Sequence, residues 1–531
     1  MGFISSDRDQ IDLLGYRIDD FAKSDKKSHF VVDLISRLDL KELFSRYSDQ
    51  GGDSYSPAII LSLWFYAYSN GVTSTRDLEE LCKYDTRYMY ISCNQQPDHT
   101  TLSRFRKTHL DLLSEYFLQI ILIAQAEGIS DFNHIAIDGT KIKASRSANH
   151  SYNEAQLDQI ITNIRRDIAG YMNQCNYVEQ NASDQLDLET LQAEKARLEA
   201  LEHQLLERKQ LLKKRQQELK VEYRTKHKIS LLEPDARFMP KADGLNYNAQ
   251  TAVDTESKLI VAAEVTDQPN DQGQFVPLQK QVESNLTPDP KRAYTGDAGY
   301  HNTDDLEHLE QNNIDALIAD PAPQDRSTRL NPTSADTILS EKRKVERTDF
   351  VYHSHGDYYE CPTGDHLVKV KDKGKSIVYR ANKCSTCPLA IYCLASKKNY
   401  KQIHRSKREV YAERMALKLQ SRMAKQRMHE RWVSVEPVFG NLKQNLGFRR
   451  FSLCGINQVK GEFMLMAIAH NLNILFKIID NNRLAAVINR SCSRINQHIA
   501  LSKNFLVKLY VNFTNLFKMS FLSSIYQVKT C

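Results

Sequence analysis

The chain has 531 residues, 41% of them hydrophobic and 26% charged, with a net charge of +6. That length exceeds one compact core, so two or three domains of a soluble globular protein are expected. Residues 1–30 carry Asp and Lys throughout and lack the apolar segment of a signal peptide; ten scattered cysteines in such a chain do not read as a disulfide framework.

Residues 1–125 read as a helical domain for DNA binding or assembly. Phe30-Val31-Val32-Asp33-Leu34-Ile35 opens an amphipathic pattern, and Pro57 sits in the first turn of a buried helix running through Trp64. Asp98-His99-Thr100-Thr101 is a polar cap before a stretch carrying Arg104, Arg106 and Lys107. This segment reads either as the second helix of a helix-turn-helix, with Arg104 and Arg106 on DNA, or as a capped surface helix.

Residues 126–149 and 234–320 read as one α/β unit split by an insertion. Strands are predicted at Asn133–Asp138, Tyr247–Asp254 and Leu259–Val265. A helix over Gln274–Glu283, a strand into Asp297, a helix near Asp304–Gln311 and a strand at Asp315–Ile318 follow. Three strands, a helix, a strand, a helix and a strand is the ribonuclease-H-like order, in which the first and fourth strands are neighbours and Asp138 and Asp297 end adjacent. The fold class is therefore α/β: a ribonuclease-H-like mixed-sheet core with a helical N-terminal domain, a helical or coiled-coil insertion and a small cysteine-containing insertion.

In the first insertion, residues 150–233, Leu191, Leu198, Leu205, Leu212 and Leu219 recur every seven residues. Its second seam is poor, because Glu194, Arg208 and Arg215 fall there beside Leu201. The pattern suits an antiparallel hairpin or a dimer zipper, the hairpin slightly favoured. The hairpin's partner helix would be Glu154–Met172, with Leu157, Ile161, Ile164 and Ile168 on one face.

The second insertion, residues 321–399, opens on a Pro-, Asp- and Ser-rich loop, reads as β-rich and holds Cys361, Cys384, Cys387 and Cys393. A Cys-x-x-Cys pair followed by Pro suits a zinc knuckle, making these four candidate ligands for structural Zn²⁺; reduced buried cysteines and redox chemistry are the alternatives. Residues 400–480 read as a basic helix and the end of the core. Between Lys397 and Arg450, 15 Lys or Arg face four acids, a footprint suited to phosphate backbones. Residues 481–531 form an apolar tail of unassigned role, which Lys508 and Lys518 interrupt, so no membrane span is expected.

Three acids stand in recognisable frames: Asp138 in Ile137-Asp138-Gly139-Thr140-Lys141, Asp297 in Gly296-Asp297-Ala298-Gly299-Tyr300, and Glu436 in Val435-Glu436-Pro437-Val438-Phe439-Gly440. Two carboxylates at strand ends and one from a helix form the hard oxygen set that two magnesium ions need for phosphoryl transfer. Lys141, Lys143 and Arg146 follow Asp138 closely enough to contact a DNA backbone, and Asn248 and Gln250 alternate on a strand that can face the same site.

With Tyr247-Asn248-Ala249-Gln250, Gly447-Phe448-Arg449-Arg450-Phe451 and Ala469-His470-Asn471-Leu472, these frames resemble a DDE transposase of a bacterial insertion sequence. The resemblance implies cleavage and strand transfer at the ends of the element, dependent on two Mg²⁺ ions, with Mn²⁺ as a substitute. The metal triad would be Asp138, Asp297 and Glu436. Some relatives carry a Tyr–Arg–Glu–Lys signature; here Lys443 matches, Arg431 lies one position too early and Met428 replaces the Tyr. Arg431, Lys443, Arg449 and Arg450 are the implied DNA contacts. The implied partners are double-stranded DNA, both the terminal inverted repeats and the target, and a second copy of the chain in the DNA complex. The implied location is cytoplasmic, at the bacterial nucleoid. Two rivals remain: a transposase-derived DNA-binding protein that no longer cuts, and a coiled-coil assembly protein.

Overall fold

The structure is a computed structural model that describes residues 2–9, 11, 16–47, 53–180, 185–217, 227–321, 333–395 and 399–478. The apolar tail and Leu219 of the leucine repeat lie outside the described residues.

The longer N-terminal helices are α1 (Lys26–Ser36), α2 (Pro57–Ser69), α3 (Thr75–Tyr84), α4 (His99–Thr108) and α5 (Leu113–Ala126). Pro57 occupies the start of α2, where its missing N–H costs no helical bond. Nearly every α2 side chain is buried, so this helix is the axis of the bundle. The Asp98 carboxylate caps α4 by accepting from the Thr101 amide at 2.7 Å.

The main sheet contains β1 (His134–Lys143), β2 (Leu245–Asp254), β3 (Ile260–Thr266), β4 (Ala293–Gly296) and β5 (Asp315–Ile318). They lie in the order β3-β2-β1-β4-β5, with a short strand, Arg237–Phe238, also pairing with β2. The β1–β2 and β2–β3 pairings are antiparallel, whereas β1–β4 and β4–β5 are parallel. Two helices, α8 (Phe275–Asn285) and α9 (Thr303–Gln311), supply the crossovers that parallel pairs require. One boundary differs from expectation. β1 does not stop at Asp138, because Gly139–Lys143 continue the ladder opposite Asn246–Gln250. Only the parallel pairing with β4 stops before Asp138, at Ile137.

Inserted after β1, helices α6 (Glu154–Gln180) and α7 (Gln185–Gln217) form an antiparallel pair. Leu157, Ile161, Ile164, Leu205 and Leu212 fill their seam. The ion pairs Arg165–Glu202 at 2.6 Å and Lys213–Glu154 at 3.3 Å set the direction, since one partner number falls as the other rises. A second unit follows β5. It is a five-stranded antiparallel meander of β6 (Val351–His353), β7 (Tyr358–Glu360), β8 (His366–Asp372), β9 (Ser376–Arg380) and β10 (Gln402–Ser406), with a small core of its own.

The chain then returns through α10 (Glu409–Leu419), α11 (Arg422–Gly440) and α12 (Ile456–Ile478). Much of the basic block is consumed in this return. Arg408 pairs with Glu307 at 2.6 Å and with Asp304, Arg414 with Glu310, and Arg427 with Asp315 at 2.7 Å. These cations clamp α10 and α11 onto α9 and β5, so the block is not one free face; Lys418, Arg422 and Lys425 remain exposed.

Buried α12 packs against α2, α5 and β3 and joins the helical domain to the sheet. Its Asn471 side chain accepts from the Ile260 amide at 2.9 Å and donates to the Ile260 carbonyl at 2.8 Å, substituting for a missing strand at the edge of β3. Glu462, fully buried, accepts from the Ser452 amide (3.0 Å) and hydroxyl (2.5 Å), the Leu453 amide (2.9 Å) and the Tyr68 hydroxyl (3.2 Å). Glu462→Ala leaves these buried donors without an acceptor and should cost about 3 kcal/mol, against about 1 kcal/mol for Tyr68→Phe. Thermal unfolding followed by circular dichroism compares the two; equal shifts would show that the carboxylate is not the hub of this junction.

Candidate active site

The parallel pairing of β1 and β4 ends at Ile137 opposite Gly296. The next residue on each strand is an acid, so Asp138 and Asp297 leave neighbouring strands at one edge of the sheet. The glycines beside them are required by space. A Cβ on Gly296 would stand 2.7 Å from the Phe275 ring, and one on Gly139 would stand 2.4 Å from the Gln250 amide nitrogen. A Cβ on Gly299 would press at 3.1 and 3.2 Å on the carboxylates of Asp297 and Asp271.

Strand alternation divides the surroundings of β1 between two faces. On the α11 face, Asp138 Oδ2 meets the Arg431 guanidinium at 2.7 Å, and Lys443 Nζ donates to Thr140 Oγ1 at 2.5 Å and the Lys141 carbonyl at 2.8 Å. On the opposite face, Asp271 accepts from the side-chain amides of Asn248 and Gln250, both at 2.7 Å, and pairs with Lys141 at 3.3 Å. The buried Tyr300 hydroxyl donates to Gln250 Oε1. Asp297 Oδ1 accepts from the Gly299 amide at 3.0 Å, which fixes the turn beneath it. Asp271, absent from the sequence expectations, lies in a loop after β3; its only advance signal is the alternation of Asn248 and Gln250, the amides that now hold it.

Burial pushes Asp138 up to about 6, with Asp297 and Asp271 adding to the rise while Arg431 and the Gly139 amide oppose it. Burial likewise lowers Lys141, against the pull of Asp271. Two adjacent carboxylates, one of them short of compensating charge, fit a hard divalent cation. Glu436 is not grouped with them. Arg431, Ser434, Val435, Val438 and Leu442 define the buried face of α11 and its continuation. Glu436, two residues beyond Ser434 and so about 200° around the helix, faces solvent. Its carboxylate accepts from Trp432 Nε1 at 2.6 Å. Among the described residues no three His, Cys, Asp or Glu side chains are grouped to hold a metal ion.

Two family models match the chain. One, described as a transposase DDE domain, covers residues 360–476; the other, described as transposase domain (DUF772), covers residues 19–108. These matches support an insertion-sequence DDE transposase. No curated protein and no solved structure matches the chain. The DDE-domain match takes in the four clustered cysteines and Glu436, while Asp138 and Asp297 lie between the two matched stretches.

The other expected DNA contacts divide by environment. Arg106 is a correction. Buried, it donates to the Tyr68 hydroxyl at 2.8 Å and the Thr73 carbonyl at 3.0 Å, and its guanidinium lies 4.5 Å from the Trp64 ring centre. The amphipathic phase of α4 turns it inward with Leu102 and Phe105, so it cannot reach DNA. Arg104 on the same helix is exposed, as are Arg449 and Arg450, while Lys143 pairs with Asp243 at 3.1 Å. Arg431 is buried with its Nε unpartnered. Cys361, Cys384, Cys387 and Cys393 line one small cavity.

The raised pKa of Asp138 has a stability consequence. Its protonated form is favoured by the fold, so its contribution is full below about pH 4, the unfolded value, and is lost as pH rises through about 6. Asp138→Asn should therefore raise the melting temperature at pH 8 in chelator, by up to roughly 3 kcal/mol of stability, and confer no advantage below about pH 4. Thermal melts across that range test it; a variant less stable than wild type at pH 8 would show that the Arg431 pair outweighs the burial penalty.

Proposed function

We propose that this chain cleaves DNA and transfers the freed strand at the ends of an insertion sequence, with Asp138 and Asp297 as paired metal-holding acids and Glu436 as the third. The observation that carries this reading is the exit of both aspartates from adjacent parallel strands directly after Ile137 and Gly296. The sheet order and its change from antiparallel to parallel at β1 support a ribonuclease-H-like core. Magnesium ions bound there, or manganese in their place, would stabilise the attacking and leaving oxygens of a phosphodiester.

The protein's own groups prepare that site. Arg431 pairs with Asp138 and offsets part of its charge before DNA arrives. Lys443, anchored on Thr140 and the Lys141 carbonyl, brings a second cation to the same face of β1. Asp271 restrains Lys141 on the other face. Glu436 joins the aspartates through a rearrangement of α11 that frees it from Trp432. The helix is suited to this, because Pro437 interrupts its ladder and Asn441–Asn445 form a widened turn. Exposed Arg104, Lys418, Arg422, Lys425, Arg449 and Arg450 offer contacts to the backbone of double-stranded DNA. Bringing two ends together calls for a second copy of the chain in the DNA complex.

A labelled duplex carrying the terminal repeats that flank the gene tests the proposal. Wild type should nick it in Mg²⁺ and in Mn²⁺, and Asp138→Ala, Asp297→Ala and Glu436→Ala should each abolish nicking while leaving DNA binding within a few-fold. Binding without cleavage by wild type in both metals would identify a DNA-binding protein that no longer cuts. Cleavage that survives Glu436→Ala would remove this residue from the triad.

A further inference from the structure

Four cysteines far apart in sequence are brought to one place in the meander. Cys361 follows β7 and opens the turn Cys361-Pro362-Thr363-Gly364. Its carbonyl accepts from the Gly364 amide at 2.8 Å, and Gly364 takes a φ of +81°, a conformation that suits glycine. Cys384 and Cys387 bracket a tight turn closed by the Cys387 amide on the Cys384 carbonyl at 3.4 Å. Cys393 ends a short helix, with its amide on the Leu389 carbonyl at 2.9 Å. All four line a single cavity of about 30 Å³, backed by Val345, Phe350 and Leu389. That volume suits a single small occupant.

We propose that Cys361, Cys384, Cys387 and Cys393 bind one structural zinc ion as a tetrahedral set of thiolates. Three further observations favour a metal over buried thiols. The Lys401 amide donates to Cys384 Sγ at 3.4 Å, a bond that a thiolate ligand accepts better than a thiol. The Thr363 hydroxyl stands 3.0 Å from Cys361 Sγ and 3.9 Å from Cys387 Sγ, linking the two arms of the cavity. Lys383 and Lys401 line the same cavity, against one acid, Asp365, and offset part of the negative charge of four thiolates around a divalent ion. The unit also needs a brace. Its core is a separate small cluster, and β8 leaves most of its side chains exposed, so apolar burial alone stabilises it weakly. The sulfurs surround the cavity without yet sharing a centre, since no three His, Cys, Asp or Glu side chains are grouped as a metal site among the described residues. Zinc binding draws them inward and releases the protons of those thiols still protonated. The proposal is independent of the carboxylate site and of DNA cleavage.

The full-length protein, purified without added metal, should contain close to one zinc per chain by plasma mass spectrometry. Replacing zinc with cobalt should give the intense absorption of thiolate-bound tetrahedral Co²⁺, which carboxylate ligands at Asp138 and Asp297 cannot produce. Cys384→Ser and Cys387→Ser should lose the bound equivalent, and Cys82→Ser should retain it. Because those variants can misfold, thiol titration of wild type gives a second reading: chelation should expose four additional reactive thiols and lower the melting temperature. Wild type that is metal-free as purified, takes up no zinc or cobalt and melts identically with and without chelator would overturn the proposal and leave four free, half-buried thiols.

Discussion

A half-buried carboxylate without full compensation governs the arrangement around β1. Asp138 cannot move away, because it is held in the ladder between Ile137, paired with Gly296 and Ala252, and Gly139, paired with Gln250. Burial drives its affinity for protons up, and the neighbouring acids reinforce the effect. The fold answers with Arg431, which must itself be buried to reach Asp138 and leaves its Nε without an acceptor. A buried ion pair of this kind is a weak source of stability, since desolvation offsets much of the Coulomb attraction. Its effect is to tie α11 to the end of the parallel pairing on β1.

The same logic extends to the second face. Lys141 is drawn to Asp271, which is in turn held by Asn248 and Gln250, and Gln250 is fixed by Tyr300. Each member of this chain is a polar group that burial would penalise alone. The motif around Tyr247–Gln250 is therefore intelligible as the support of the acidic edge. So is Gly447–Phe451, whose backbone extends the edge of β1: the Lys143 amide donates to the Arg449 carbonyl at 3.1 Å and the Phe451 amide to the Lys143 carbonyl at 2.9 Å.

Strand and helix positions in the core were legible because period-two and helical patterns are local properties. The expected Tyr247–Asp254 strand is observed as Leu245–Asp254, and Asp315–Ile318 is unchanged. What was illegible depends on phase and on distant partners. The continuation of β1 past Asp138 rests on polar residues, Thr140, Lys141 and Lys143, whose strand character comes from pairing with β2. Arg106 looked like a DNA contact because sequence shows a charge but not which way its helix is turned. Asp271 sits in a loop with no periodicity, and only the fold reveals that Asn248 and Gln250 point at it.

The basic stretch before Glu436 illustrates the limit of counting charge. Its excess of cations looked like a surface for phosphate, yet Arg408, Arg414 and Arg427 are engaged with Asp304, Glu307, Glu310 and Asp315. Solvent-exposed pairs contribute little stability individually, but here several act in register along two helices, and a set of such contacts fixes orientation better than it adds free energy. α11 is held by Arg427 on Asp315, presents Arg431 to Asp138 and leaves Glu436 exposed beside Trp432. The position of Glu436 is thus a consequence of how the clamp seats α11.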